Sequence, residues 1–116
     1  MGASLAIQAA GIPFAGPAGA VRIGRVDGKF IINPTRDEIA NGEMNLLVAG
    51  PRGLVNMIEC DAKQVSDAVI KEAFDLAVQH IEKICDEQDV FVKKLTIQPK
   101  EIMKNKPSQL LESHVK

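Results

Sequence analysis

The stretch "SDAVIKEAFDLAVQHIEKICDE", residues 66 to 87, constrains the fold more than any other. Ile70, Ala73, Phe74, Ala77, Ile81 and Ile84 recur at i, i+3, i+4 spacing, which sets them on one face of a helix. Ser66 is placed to cap that helix, which runs from about Asp67 to Glu87. Lys71 and Asp75 are spaced to pair on its wet side. A helix with a single apolar stripe cannot bury it alone, so the rest of the chain must supply a matching apolar surface.

The segments before it supply that surface at the two-residue period of strands. "AVRIGRV" alternates loosely, Asp27-Gly28 follows, and "KFII" returns. Asp-Gly between strand formers predicts a hairpin, because both central residues of a type I′ turn take positive φ. Asn33-Pro34 ends the return strand, since proline cannot donate to a ladder. Thr35 and Glu38 then match the capping box, and "RDEIA" predicts one or two helical turns. Asn41-Gly42 offers a left-handed residue to close them. "MNLLVA" reads as a strand apolar enough to be covered on both faces, "GPRG" turns it, and "LVNMIEC" returns. At the start, "ASLAIQAAG" predicts a short helix, apolar nearly all round and wanting burial on more than one side. After residue 88, "VFVKKLTI" reads as a strand and "SQLLESHVK" as the start of another helix. The expected fold is α+β: a four-stranded mixed sheet with helices packed on one face.

Charge and composition narrow the function. Residues 1–87 carry 8 basic and 12 acidic side chains, and residues 88–116 carry 6 and 3, so a mildly basic tail follows a mildly acidic body. The net charge of −1 gives no general attraction to nucleic acid. There is no Trp or Tyr on which bases could stack. Cys60 and Cys85 have no metal-ligand spacing and read as reduced core thiols, so a cytoplasmic setting is expected. No stretch is long enough to span a membrane, and the apolar N-terminus lacks the basic flank of a signal peptide.

Few motifs carry chemistry. "GRVDGK" falls one residue short of a phosphate loop and has Phe30 where the metal-binding hydroxyl belongs, so the hairpin reading is preferred. His80 and His114 have no nucleophile or acid arranged around them in the sequence. Asp37 and Glu43, six residues apart across a turn, remain the candidates for holding a hard cation. The same acids also suit a capped corner, Asp37 by favouring the helix dipole.

Several strings together resemble a known family: "GASLAIQAAGIPFAGPAGAVRIG", "INPTRDE", "NLLVAG", "MIECDA" and "EAFDLAVQHIEKI". They resemble polynucleotide phosphorylases, in the C-terminal half of the first RNase PH-like core, from Gly2 to about Glu87. The resemblance implies a core subdomain over 1–87, followed over 88–116 by a tail at the start of an α-helical linker domain. It implies part of a trimeric, cytoplasmic 3′→5′ exoribonuclease that cleaves RNA with inorganic phosphate and releases nucleoside diphosphates. Implied partners are RNA, phosphate, and a homotrimer or the complementary half of the core, with no membrane and no DNA. The family uses Mg²⁺ or Mn²⁺, and Asp37 and Glu43 fall where the second core has its metal-binding acids. "NPT", however, is the first-core form of this corner, and the family's serine-containing phosphate loop is not found in this chain. The expectation is therefore a chain without phosphorolytic activity of its own and without an assigned catalytic residue. The alternative is a non-catalytic assembly or RNA-binding module, with Arg22 and Arg25 as candidate RNA contacts and Arg52 and the tail lysines in support.

Overall fold

The computed structural model describes residues 1–101. Its elements are α1 (Gly2–Ala9), β1 (Ala18–Val26), β2 (Lys29–Ile32), α2 (Arg36–Asn41), β3 (Met44–Pro51), β4 (Met57–Ala62) and α3 (Asp67–Lys93). The tail helix expected from "SQLLESHVK", and His114 with it, lie outside the described residues.

Asp27 (φ 48°) and Gly28 (φ 76°) both take positive φ, so the type I′ turn forms and pairs Val26 with Lys29. The sheet order is β2-β1-β3-β4. All three pairings are antiparallel, so the α+β architecture stands but the sheet is not mixed. The reason is the path of the chain. From β2, α2 carries it across β1, so β2 and β3 run the same way on either side of a strand opposed to both.

Register sorts the side chains. Val21 and Ile23 lie opposite Val48 and Leu46, and all four are buried on the face that α3 covers. Ala73, Ala77, Ile81 and Cys85 of α3 close that core together with Met44. The helix is longer than its sequence stripe suggests, running to Lys93, so "VFVK" is helical and not a strand. The inward face continues through Cys85 and Gln88, both buried, which keeps the 3.6-residue period past Glu87. Gln88 is tied down there, donating to Ala18 O at 2.9 Å and accepting from Gln8 Nε2 at 3.3 Å.

Three further expectations are revised. The residue of α1 that is buried is Ser4, whose Oγ accepts from Ala18 N at 3.0 Å; Leu5 and Ile7 are only half-buried, because the helix rests on one side. Cys60 is exposed while Cys85 is buried, because β4 is an edge strand that α3 does not cover. Not all helices share one face. The Pro34 ring packs where a Gly24 side chain would stand, and Gly42 sits by Val26, which puts both ends of α2 on the other side of β1.

Candidate functional site

The corner from Asn33 to Asn45 gathers the sequence candidates, and α2 is its frame. Thr35 Oγ1 accepts from Glu38 N at 3.3 Å, and Glu38 Oε2 accepts from Thr35 N at 2.7 Å. That is the capping box predicted by Thr-x-x-Glu. The Thr35 backbone N–H, and then its hydroxyl at 2.9 Å, hold the Glu38 carboxyl below its ordinary pKa. Asn41 closes the helix by donating from Nδ2 to Asp37 O at 2.9 Å.

Gly42 ends α2 in extended conformation (φ −77°, ψ 167°), not in the left-handed one expected. Its need for glycine is spatial. A Cβ there would stand 2.6 Å from Glu38 O and 2.9 Å from Arg25 O. The chain passes this close because Glu43 N must donate to Arg25 O, at 2.7 Å, to begin β3.

The structure places the four named residues as follows. Glu43 is ion-paired with Arg25 through Nη1, and its other carboxylate oxygen accepts from Gly28 N at 3.3 Å. The proposed metal ligand and one proposed RNA contact are therefore joined to each other. The pair ties the β1–β2 hairpin to the start of β3, and it leaves Arg25 Nε buried without a partner among the described residues. Asp37 is exposed in the first turn of α2, where it suits the helix dipole. Arg22 donates from Nη1 to Asn45 Oδ1 at 2.7 Å, and its backbone N–H donates to Asn33 Oδ1 at 3.3 Å. Arg22 and Arg25 are an odd number of residues apart in β1, so they point to opposite faces of the sheet and form no common grip. Arg52 is also engaged, bridging from the β3–β4 turn to Asp86 and Asp89 of α3.

A hard cation needs carboxylate oxygens free to turn toward it. Glu43 spends its two oxygens on a guanidinium and a backbone N–H. Among the described residues no group of three or more His, Cys, Asp or Glu is placed to hold a metal. These residues do not fit Mg²⁺ or Mn²⁺ as they stand. Nucleophilic chemistry gains no support from the thiols. Partial loss of water around the otherwise exposed Cys60 thiol, more than the nearby Asp61, pushes it up, and burial does the same to Cys85, whose Sγ donates to Pro17 O at 3.4 Å. Cysteine catalysis needs the opposite shift.

The Arg25–Glu43 and Arg22–Asn45 contacts had no sequence signal. They depend on the register between β1 and β3, strands that are neighbours in space but not in sequence.

Comparison with known proteins gives consistent results. Residues 16–80 match the 3′ exoribonuclease family, domain 2. The chain is similar to polyribonucleotide nucleotidyltransferases. That of Halalkalibacterium halodurans is 32% identical over 116 residues, all of this chain and 16% of the relative. That of Listeria monocytogenes is 34% identical over the same span, again 16% of the relative. That of Bacillus pumilus is 41% identical over 92 residues, 79% of this chain and 13% of the relative. The chain thus spans about a sixth or less of the length of these relatives.

Proposed function

This chain belongs to the 3′ exoribonuclease family as its domain 2, and from that membership we propose that it is part of a phosphorolytic 3′→5′ exoribonuclease. The carrying observation is the family match over residues 16–80, which takes in the whole sheet and the first half of α3. In this reading RNA is the substrate, inorganic phosphate the attacking group and nucleoside diphosphates the products. The setting is the cytoplasm, and the working unit is a homotrimer or a pairing with the complementary half of the core. Among the described residues, no helix is long and apolar enough to cross a membrane.

We assign this chain a scaffolding part in that reaction, with the reacting groups supplied elsewhere. Supporting this, the Glu43 carboxylate is committed to Arg25 and Gly28. Mg²⁺ or Mn²⁺ at Asp37 and Glu43 is the competing proposal. The test is phosphate-dependent release of nucleoside diphosphates from RNA by the chain alone, with and without Mg²⁺. No release is expected. Release that needs Mg²⁺ and is lost in Glu43→Gln, while the variant stays folded, would overturn the scaffolding assignment.

The second reading is an assembly or RNA-binding module. Arg22 favours it, being half-exposed on the sheet face that α3 leaves open. RNA binding through Arg22 is expected to be weak and to fall steeply with salt, by about one unit of log slope per phosphate contacted. A salt-independent affinity would count against it.

A further inference from the structure

Strand β4 is an edge, paired with β3 and with no strand on its other side among the described residues. All six of its residues, Met57–Ala62, are exposed. Its outward N–H and C=O groups therefore form a template for another strand. Natural edges are commonly blunted by lysine, proline or a very short strand. The other edge, β2, has four residues and begins with Lys29. β4 is longer, contains neither lysine nor proline, and carries charge only as the two acids Glu59 and Asp61, which guard it against anionic or acidic strands.

The two faces of β4 differ in chemistry. Register puts Ile58 and Cys60 beside Val48 and Leu46, on the face that carries α3. The helix packs over β1 and β3 and stops short of β4. An open, mostly apolar groove of about 460 Å³ remains between them, walled chiefly by Leu46, Ile58, Cys60 and Phe74, with Asp67 and Lys71 also lining it. Ile58 is 57% exposed along it. The opposite face of β4 carries Glu59 and Asp61, both exposed.

We propose that β4 and this groove bind an extended peptide of another protein by strand addition, and that the peptide alternates apolar and basic residues. Residues directly opposite one another in a ladder share a face. Peptide residues opposite Ile58 and Cys60 then drop toward the groove, while those opposite Glu59 and Asp61 meet two carboxylates. Main-chain bonds supply affinity and the alternation supplies choice. A second copy of this chain is disfavoured in the register that pairs most of β4. Antiparallel self-pairing centred on Cys60 sets Glu59 opposite Asp61 twice over, and like charges directly opposite are destabilising. RNA is repelled by the same acids and has nothing to place in an apolar groove. This site lies apart from the α2 corner and does not depend on the exoribonuclease reading.

The test is amide hydrogen exchange of the full chain, followed residue by residue during titration with a short synthetic peptide alternating valine and lysine. The expected result is saturable slowing of the β4 amides that point away from β3, with β2 unchanged. An alternating valine–glutamate peptide should bind about tenfold more weakly, the scale of reversing two exposed cross-strand charge pairs. The double variant E59K/D61K should invert that preference. Should the variant not fold, the two peptides on the unaltered chain decide the matter. Equal binding of a peptide with the same composition in blocks overturns the proposal. So does protection of β4 in the free chain: concentration-independent protection means that its own tail sits there, and concentration-dependent protection means a second copy. Protection of β4 by an RNA oligonucleotide in place of the peptide also overturns it.

Discussion

At the scale of single residues, the corner around α2 is held by groups that each have one job. Glu38 accepts from Thr35 twice, and those bonds favour its charged form. Because its folded pKa lies below the unfolded one, the stabilisation is complete above the ordinary glutamate range. It is lost as pH falls through the lowered value. Comparing thermal midpoints of the natural chain and Glu38→Gln from about pH 6 to about pH 3 should show a gap that closes on acidification. A gap that widens toward acid would contradict the capping geometry. Gly42 is different, since its φ of −77° suits any residue and only space forbids a side chain. Gly42→Ala should therefore cost about 1–3 kcal/mol, as overpacking does, measured by urea unfolding. The Thr-x-x-Glu cap was readable from the sequence because all its atoms lie within four residues. The Gly42 constraint was not, because half of it is Arg25 O, on a strand seventeen positions earlier.

At the scale of elements, α3 is the slab on which the sheet rests. Ile81 is 2% exposed and sits in the centre of the shared core. Ile81→Ala should cost about 2–5 kcal/mol by lost burial and an incompletely closed cavity. Ile84, only half-buried at the margin, should cost less when truncated. Urea midpoints for the two variants test the order, and an equal loss would mean that α3 is rotated from its described position. The sequence stripe named Ile70, Ala73, Phe74, Ala77, Ile81 and Ile84; the buried set is Ala73, Ala77, Ile81, Cys85 and Gln88. Periodicity gave the face correctly to within one residue of rotation. It did not foresee that a glutamine would join the face, because Gln88 is buried only through its bonds to Ala18 and Gln8.

At the scale of the whole molecule, the sheet is covered unevenly among the described residues: α3 lies on one face, α2 across one end of the other, and β4 is exposed. The two thiols report this directly. Cys60 should react with a thiol reagent in the folded chain, slowly for a surface thiol because its pKa is raised. Cys85 should react only on unfolding, so its rate should follow global stability under denaturant. Equal labelling of both in the folded state would mean that α3 does not seal the core. The sequence by itself determined the elements whose causes are local: the Asp27-Gly28 hairpin, the Thr35 cap and the long amphipathic helix. It also carried the family, since a run of matching strings survives without knowledge of the fold. Only the tertiary structure decided that the sheet is antiparallel throughout, that Glu43 answers Arg25, and that Cys60 faces solvent. Each of these depends on which strands become neighbours, in what register, and which of them is left at an edge. That is settled by burying one apolar face under α3, a sum over the whole core that no short stretch of sequence contains.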